Sequence, residues 1–486
     1  MNKLNVESFK AYDIRGEVPE VLDNSIAYAI GRAFSSFSTP KSVVVGHDIR
    51  LSGIEISEAL IEGLRDSGVN VSFIGCCGTE EIYFSTAHYG FDGGVMVTAS
   101  HNPKTHNGMK MVTSGSRPIS SDSGLREIKE IVRKNSFPTS SSRGRGSLSF
   151  LKHREDYLNK LLSFRRGGYH NKNFKVLGNP GNGSAGLVLD PLKDLLDFEL
   201  ITINDSPDGS FPNGVPNPLL IENRESTSQA VRETGANLGV AWDGDFDRCF
   251  FFDEAGNFVE GYYLVGLFAR ALLKENPGET IIHDPRLIWN TLYMSESLGI
   301  PIQSKAGHAF IKEKMREENA IYAGEMSGHY YFRDFSYCDS GMIPWLLILE
   351  LMSKSQTSLS CLVNDMMIKY PSPGEINFKV KDPKDCIDRV REHYKSSVIS
   401  SDTTDGISME FKEWRFNLRM SNTEPLVRLN LETKSDKKLL NKKKTGVTEY
   451  LASKCKITNS SESMLIANDK FAVSPITTHL DIKDVA

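Results

Sequence analysis

The chain alternates short apolar runs with segments whose apolar residues recur every three or four positions. Residues 42–46 form a β-branched run that ends in glycine, and a helical pattern over residues 53–68 follows it. An apolar run at 69–74, a helix-like segment at 79–89 and a further strand at 94–97 continue the same rhythm. Strands that alternate with helices in this way predict parallel βαβ units and an α/β fold.

Two further blocks repeat this organisation. The second begins near residue 173 with an apolar strand and ends at the apolar strand 237–242. The third runs from about residue 251 to 362 and contains the longest apolar run, 342–349, which is too short to span a membrane and predicts a buried helix.

The pattern changes from about Pro371. Apolar and polar residues then alternate with period two, which predicts a final α+β domain whose antiparallel sheet is exposed on one face. A run of lysines between residues 437 and 444 is interpreted as the solvated face of a helix. The Gly- and Ser-rich segment 140–149 is either a loop near a domain boundary or an ordinary surface loop.

The composition fits a soluble globular protein of several domains, because 486 residues exceed what one hydrophobic core organises. Lys and Arg total 57 against 62 Asp and Glu, so the net charge of −5 gives no basic surface for nucleic acid. The N-terminal residues carry no apolar run, and we expect neither a signal peptide nor a membrane segment. The seven scattered cysteines are expected to be free thiols in a reducing cytoplasm.

The first segment with candidate chemistry is residues 97–110. A strand delivers a small loop that carries Ser100, and Pro103 stops any extension of the sheet. Open α/β sheets bind ligands at such carboxyl ends of strands. Ser100 does not lie in a G-x-S-x-G pattern, which disfavours a hydrolase nucleophile elbow. Taken alone, the segment is also compatible with an ordinary turn, because serine and asparagine are common turn formers.

Three aspartates at alternate positions follow the strand 237–242: Asp243, Asp245 and Asp247. Carboxylates at this spacing can converge on one hard cation, whereas without a cation they would repel one another. An EF-hand is excluded because Arg248 stands where that loop needs glycine and because a strand follows. A solvated acidic turn is the alternative, and the pattern and its position favour the metal site.

Two further loops carry polar groups next to apolar strands. Residues 324–329 place a carboxylate, a hydroxyl and an imidazole together, which suits recognition of sugar hydroxyls. Residues 419–428 combine hydroxyls and an amide with two arginines, which can grip phosphate through forked donors. Residues 12–16 and 305–308 are minor features of the same kind. Each of the four alone is compatible with an ordinary loop.

Taken together and in this order, these motifs resemble those of the α-D-phosphohexomutase family, from Tyr12 to about Arg428. Residues 212–220 and 331–341 make the chain most similar to the bacterial phosphomannomutase branch of that family. The resemblance implies three similar mixed α/β domains plus a C-terminal α+β domain around a central cleft. The expected boundaries are 1–150, 151–250, 251–368 and 369–455, followed by a tail of unknown role at 456–486.

The resemblance also implies the roles of the site residues. Ser100 would be the phosphoserine and would share one Mg²⁺ ion with the three aspartates, while Phe246 would point away from the metal. The candidates for taking the proton of the attacking hydroxyl are Lys110, His308 and Arg15, and Lys110 would need a lowered pKa. The residues expected to bind substrate are Tyr12, Lys305, Glu325, Ser327, His329, Arg419, Ser421, Asn422, Thr423 and Arg428.

The implied activity interconverts mannose 6-phosphate and mannose 1-phosphate through a hexose 1,6-bisphosphate, which also serves as activator, and supplies GDP-mannose synthesis. Glucose and mannose differ only at C2, so contacts to the 3- and 4-hydroxyls do not separate them. A phosphoglucomutase or a dual-specificity enzyme is therefore the alternative, ahead of a metal-dependent phosphatase or an inactive sugar-phosphate binding protein. We expect a cytoplasmic monomer or weak homodimer with no nucleic-acid or membrane partner.

Overall fold

The structure is a computed structural model that describes residues 4–135, 137, 144–165, 174–421 and 426–455, with the short segments 466–467 and 472–473. It divides into two compact units, Met1–Ile368 and Lys369–Ala486, and each is described by itself. Within the described residues, no helix is both long enough and apolar enough to cross a membrane.

The first sheet of the larger unit is mixed and has seven strands. Its elements are β1 Ile14–Glu17, α1 Asn24–Ser38, β2 Ser42–His47, α2 Gly53–Asp66, β3 Asn70–Cys76, α3 Thr79–His88, β4 Gly93–Val97, β5 His106–Thr113, β6 Arg117–Pro118, α4 Arg126–Lys134 and β7 Leu148–Phe150. The strand order is β1-β5-β4-β2-β3-β7, with β6 beside β5. β2 pairs parallel with β3 and β4, as the alternating pattern predicts. Helix α1 begins at the cap Asp23 and buries Ile26, Ile30 and Phe34 on one face.

The polar segment 140–149 is only partly a loop. Residues 140–143 lie outside the described residues, whereas Leu148–Phe150 forms the edge strand β7, which pairs parallel with β3. All three side chains of β7 are exposed. Besides its backbone pairing, β7 contacts β3 through the hydroxyls of Ser149 and Ser72, 3.2 Å apart, and through the rings of Phe150 and Phe73. An edge strand that buries none of its side chains has no apolar stripe, so the apolar pattern does not reveal it.

The second sheet contains the two strands that the predicted acidic turn connects. Its elements are α5 Arg154–Leu162, β8 Lys175–Asn179, α6 Gly186–Lys193, β9 Glu199–Thr202, α7 Glu225–Thr234, β10 Leu238–Trp242, β11 Cys249–Phe252 and β12 Phe258–Val259. The order is β12-β11-β10-β8-β9, with β8 parallel to both β9 and β10. The acidic turn joins β10 to the antiparallel β11, so a strand and not a helix follows it.

The third sheet completes the larger unit. Its elements are α8 Gly261–Glu275, β13 Thr280–His283, α9 Trp289–Ser295, β14 Ile300–Gln303, α10 His308–Glu317, β15 Tyr322–Gly324, β16 Tyr330–Phe332, β17 Cys338–Asp339, α11 Ile343–Ser355 and α12 Leu359–Lys369. The order is β14-β13-β15-β16-β17. The longest apolar run of the chain lies in α11, where Ile343, Trp345 and Leu349 are fully buried.

The smaller unit is built on an antiparallel sheet of five strands. Phe416, Leu418 and Leu429 contribute to its apolar core. Lysines 437, 438, 442 and 444 are exposed on its last helix, as predicted, while Lys443 lies over the ring of Trp414. The elements are β18 Ile376–Lys379, α13 Pro383–Tyr394, β19 Ser400–Asp402, β20 Ile407–Glu410, β21 Trp414–Met420, β22 Leu426–Thr433, α14 Lys437–Cys455, β23 Ile466–Ala467 and β24 Ala472–Val473. The order of the five-stranded sheet is β18-β22-β21-β20-β19.

The prediction that one face of this sheet is exposed is confirmed at the edge strand β18, where Asn377 and Lys379 are exposed, and is wrong for the central strands β21 and β22. Arg415, Asn417 and Glu432, which alternate with the apolar core residues, are themselves buried. Arg415 Nη1 donates to Glu432 Oε1 at 2.9 Å, and Asn417 Nδ2 donates to the carbonyl oxygen of Asp405 at 2.8 Å. The alternation of apolar and polar residues shows which side chains of a strand share a face. It does not show whether the polar face is exposed, because polar groups that pair with one another can be buried.

Candidate functional site

Ser100 lies in the turn that joins β4 to β5, where the sequence pattern placed it. The residue is fully buried and its backbone is left-handed, with φ of 49°. Its amide donates to Thr98 Oγ1 at 2.9 Å, and its Oγ donates to Asp243 Oδ2 at 2.9 Å. A serine hydroxyl from the first sheet therefore meets a carboxylate from the second.

The three aspartates converge in the turn after β10. Each is buried, and carboxylate oxygens of the three lie within 4.8 Å of one another. The Oδ1 atoms of Asp243, Asp245 and Asp247 are also buried without a hydrogen-bond partner among the described residues. Three such oxygens, one from each aspartate, are ligands of the hard type that a small divalent cation prefers. The residues therefore fit a metal ion, with Ser100 Oγ beside it.

Gly244 allows the two loops to approach one another. A Cβ atom at this position would lie 2.7 Å from the carbonyl oxygen of Ser100. We therefore expect Gly244→Ala to separate the serine from the aspartates and to lower kcat by about tenfold to a hundredfold. The matched control is Gly178→Ala in β8, where the nearest atom would lie at 3.4 Å and kcat is expected to stay unchanged. Equal kcat values for the two variants would contradict the close packing.

Lys110 on β5 is bound to the acidic cluster. Its Nζ donates to Asp245 Oδ2 at 2.6 Å and also to Asp247 Oδ2. Burial alone would lower the pKa of Lys110, but the charges of the two aspartates outweigh burial, and the pKa is raised. The lowered pKa that a general-base role would need is therefore not found. The same ion pairs lower the pKa of Asp245 against the effect of its burial.

Arg15 and His308 differ as candidates for a base. Arg15 donates to Asp13 and Asn102 at 2.8 Å and to the carbonyl oxygen of Ala99, and its pKa is raised, so it is a cation that holds the serine loop. Both ring nitrogens of His308 are buried without a hydrogen-bond partner in the described part of the chain. Burial and the nearby Lys312 hold the pKa of His308 well below its usual value, so the imidazole is neutral.

The predicted sugar-reading loop lies between β15 and β16. Glu325 Oε1 accepts from the amide of Gly307 at 2.9 Å, and Glu325 Oε2 accepts from Tyr331 at 2.5 Å. His329 Nδ1 lies 2.8 Å from Asp339 Oδ2 and 4.0 Å from Asp247 Oδ1. This loop is therefore joined both to the loop before α10 and to the edge of the acidic cluster.

Tyr12 and Lys305 lie beside the start of α10. The ring of Tyr12 meets His308 edge-on at 6.1 Å and Phe310 at 5.5 Å. The Lys305 side chain crosses the ring of Phe310, with Nζ 4.6 Å from its centroid. These contacts bring Tyr12 from the N-terminal segment to the loop that carries Lys305 and His308.

The predicted phosphate loop belongs to the smaller unit. Arg419 and Arg428 stand directly opposite each other on β21 and β22, and Glu375 lies between them, 3.3 Å and 3.4 Å from their respective Nη atoms. Arg428 Nη2 also donates to Ser421 Oγ at 3.4 Å. The shared carboxylate offsets the repulsion of two cross-strand cations. The predicted ligands Asn422 and Thr423 lie outside the described residues.

Sequence reasoning missed three arginines and one glutamate of these loops. Arg248 follows the aspartates, donates to His101 Nδ1 at 3.0 Å and lies 3.4 Å from Asp243 Oδ2. Arg50 and Arg286 stand near the ends of β2 and β13, and Glu375 precedes β18. A signal was available for Arg50 and Arg286, because each closes a His-Asp-x-Arg sequence after a buried strand. Single charged residues such as Glu375 carry no comparable signal.

Phe246, between two of the aspartates, has a left-handed backbone with φ of 43° and is fully buried. Its ring packs against Gly78 at the start of α3, where an added Cβ would lie 2.1 Å from Phe246 Cε1. The phenyl group therefore anchors the acidic turn to the first sheet.

Four family models of phosphoglucomutase/phosphomannomutase match the chain in order. The alpha/beta/alpha domains I, II and III match residues 6–139, 155–256 and 260–370, and the C-terminal domain matches residues 375–445.

Curated relatives and solved structures agree with these matches. The chain is 52% identical to a phosphomannomutase of Escherichia coli K12 over 442 residues, which cover 89% of the chain and 96% of that protein. It is 52% identical over 454 residues to a protein of Xanthomonas campestris described as phosphohexose mutases, covering 92% of the chain and all of that protein. A phosphoglucomutase/phosphomannomutase family protein of Burkholderia thailandensis superposes with a TM-score of 0.83 at 32% identity, covering 93% of the chain and 98% of that structure. The chain belongs to the phosphoglucomutase/phosphomannomutase family and is a phosphohexose mutase, an isomerase.

Proposed function

We propose that the protein interconverts mannose 6-phosphate and mannose 1-phosphate through a phosphorylated Ser100 and a hexose 1,6-bisphosphate. The proposed transfer of a phosphoryl group through Ser100 rests on the 2.9 Å contact between Ser100 Oγ and Asp243. Three buried carboxylate oxygens lie beside this contact and have no hydrogen-bond partner among the described residues. The mannose assignment is supported by relatives from Escherichia coli and Salmonella typhimurium, both named phosphomannomutase, at 52% identity.

The proposed cycle begins with the phosphoryl group on Ser100. The bond between that phosphorus and Ser100 Oγ breaks as a new one forms to the free hydroxyl of the hexose monophosphate, whose proton passes to a base. The hexose 1,6-bisphosphate then reverses its orientation. Its other phosphoryl group passes to Ser100 Oγ as the bond from that phosphorus to the hexose oxygen breaks, and the base returns the proton to the freed hexose oxygen. One Mg²⁺ ion held by Asp243, Asp245 and Asp247 would neutralise charge on the transferring group. Lys110 and Arg248 contribute further positive charge beside these carboxylates.

His308 is the base that we propose among the three candidates. A base must be unprotonated and must have a free lone pair. Lys110 and Arg15 are held as cations by carboxylates, whereas His308 is neutral and its two ring nitrogens have no partner among the described residues.

The remaining roles extend the same proposal. Glu325, Ser327 and His329 read the sugar hydroxyls, with Tyr12 and Lys305 beside them. Arg419, Ser421, Asn422, Thr423 and Arg428 hold the phosphate that does not react, which is common to both orientations of the bisphosphate. We also propose the domain boundaries near residues 150 and 368, supported by the spacing of the family matches. The boundary expected at residue 250 is moved to the end of β12, because β11 and β12 belong to the second sheet and the second match extends to residue 256. A cytoplasmic enzyme that feeds GDP-mannose synthesis is consistent with six free cysteines among the described residues.

Binding of Mg²⁺ is expected to weaken as the pH falls through neutrality. Burial and the charges of Asp247 and Asp245 raise the pKa of Asp243 to about 7 in the metal-free protein. Below that pH the carboxyl group carries a proton that the ion must displace. Lowering the pH from about 8 to about 6 should therefore raise the Kd for Mg²⁺ roughly tenfold, measured by isothermal titration calorimetry. An unchanged Kd over this interval would rule out the raised pKa.

Coupled assays with mannose 1-phosphate and glucose 1-phosphate test the substrate. We expect kcat/KM for mannose 1-phosphate to equal or exceed that for glucose 1-phosphate. A much lower value for the mannose substrate would identify a phosphoglucomutase instead. Release of inorganic phosphate without formation of the isomeric hexose phosphate would identify a phosphatase.

A further inference from the structure

The first and third sheets each present the same short sequence at the end of a parallel strand. β2 ends at His47, which Asp48-Ile49-Arg50 follows, and β13 ends at His283, which Asp284-Pro285-Arg286 follows. In both, the histidine Nδ1 lies near the carbonyl oxygen of the aspartate, at 2.7 Å and 2.8 Å. In both, the amide of the arginine donates to Oδ1 of the aspartate at 2.9 Å. The two segments therefore share one local geometry.

The neighbouring strand is equivalent in the two sheets. β2 pairs parallel with β4, whose following loop carries Ser100. β13 pairs parallel with β15, whose following loop carries Glu325 and Ser327. Each Asp-x-Arg segment thus stands beside a loop with candidate chemistry, because parallel neighbours end at the same edge of the sheet.

In the first sheet the aspartate and arginine grip the serine loop. Asp48 Oδ2 accepts from Thr98 Oγ1 at 2.6 Å, and Thr98 Oγ1 in turn accepts from the Ser100 amide. The Arg50 guanidinium donates to the carbonyl oxygens of the loop itself. These contacts are Ser100 at 2.8 Å, Asn102 at 2.6 Å, Pro103 at 2.7 Å and His106 at 2.9 Å.

In the third sheet the equivalent pair grips the sugar-reading loop. Asp284 Oδ2 accepts from the amide of Met326 at 2.9 Å. Arg286 Nη2 donates to Ser327 Oγ at 3.3 Å and lies 3.5 Å from Glu325 Oε1. In both sheets the aspartate accepts one hydrogen bond from the neighbouring loop, from the Thr98 side chain in the first sheet and from the Met326 amide in the third. The arginine makes further contacts with the same loop.

We propose that these two Asp–Arg pairs are copies of one positioning device, the first aligning Ser100 for phosphoryl transfer and the second aligning Glu325 and Ser327 for the sugar. This inference rests on the function proposed above. All four side chains are at most 5% exposed, and a buried ion pair gives little net stability, whereas a forked guanidinium gives directional contacts. The pairs are therefore explained better by alignment than by stability.

The two copies should have different kinetic signatures. A displaced Ser100 takes back the phosphoryl group slowly, so the bisphosphate leaves more often before its return and the enzyme is left with an unphosphorylated serine. Arg50→Lys should thus lower kcat about tenfold and make turnover depend on added hexose 1,6-bisphosphate. Arg286→Lys should raise KM for the hexose monophosphate about tenfold, with little new dependence on the bisphosphate.

Phe211→Leu is a milder companion to Arg50→Lys and keeps the test valid if the arginine variant does not fold. The ring of Phe211, on a loop of the second sheet, lies 5.5 Å from the Arg50 guanidinium, and the turn at Gly209 packs against the backbone of Ile49. Phe211→Leu removes the aromatic face over Arg50 and leaves every hydrogen bond of the serine loop in place. We expect it to reproduce the Arg50→Lys signature at a smaller amplitude.

The experiment measures kcat, KM and bisphosphate dependence for the full-length protein and the three variants, together with Tm and the phosphorylated fraction of Ser100 by intact mass. We expect Arg50→Lys and Arg286→Lys to change different kinetic constants, and we expect their Tm values to show that both variants are folded. The same signature for both copies, or lower Tm values with unchanged kinetic constants, would overturn the inference. Failure of the proposed function would appear differently, as absence of mutase turnover or of phosphoserine in the unchanged protein.

Discussion

Replacing Ser100 by alanine is expected to lower mutase turnover by at least about a thousandfold. Alanine offers no oxygen to carry the phosphoryl group, and among the described residues Ser100 is the one whose hydroxyl donates to Asp243. Intact-mass analysis of the purified variant should also lose the mass of one phosphoryl group. Turnover near that of the unchanged protein would show that Ser100 does not carry the phosphoryl group in the reaction.

Ser116→Ala is the matched control for this variant. Ser116 is also fully buried and also has a left-handed backbone, with φ of 58°, but its Oγ donates to the carbonyl oxygen of Tyr83. Loss of a buried hydrogen bond should lower its Tm and leave kcat within about twofold. A similar Tm loss in both variants with loss of activity in one alone separates chemistry from folding.

Asp243→Asn is expected to lower the activity of the enzyme and to raise the stability of the metal-free protein. The amide keeps the shape of the side chain and can still accept from Ser100, but it removes one of three ligand charges, so kcat should fall about a hundredfold or more. The folded-state pKa of Asp243 is raised, so its ionised form destabilises the metal-free protein above that pKa. At about pH 8 in a chelator, the Tm of Asp243→Asn should therefore exceed that of the unchanged protein.

The control for the second prediction is Asp253→Asn in the next turn. Asp253 is also buried, but its Oδ1 accepts from the amides of Ala255 and Asn257, so its role is to hold the turn. This variant should lower Tm and keep kcat. A fall of Tm for Asp243→Asn in the chelator, as for the control, would contradict the repulsion inferred among the three aspartates.

The sequence alone predicted part of the first sheet of the larger unit and its helices. The strands and helices between residues 42 and 97 lie within two residues of their predicted bounds, because alternating apolar runs and helical stripes are local properties. The acidic turn after β10 and the serine turn after β4 are likewise local, since each follows directly from a strand end. Their approach to one another across two sheets came only from the family resemblance.

Other features depend on partners far away in the chain. Lys110 has a raised pKa because it meets Asp245 and Asp247, more than a hundred residues distant. The burial of Arg415 and Glu432 depends on their pairing across two strands, and period two does not report it. The repeated His-Asp-x-Arg sequence marks Arg50, but its contacts with the carbonyl oxygens of the serine loop, about fifty residues away, are visible only in the structure.

The most direct test of the relay follows one labelled phosphoryl group. The protein is phosphorylated on Ser100 with a radiolabelled hexose 1,6-bisphosphate, freed of ligand, and mixed with an excess of unlabelled mannose 1-phosphate in the presence of Mg²⁺. We expect the label to leave the protein and to appear in hexose phosphates within the first turnovers, at a rate no slower than kcat. Formation of mannose 6-phosphate while the label stays on Ser100 would contradict the phosphoserine mechanism.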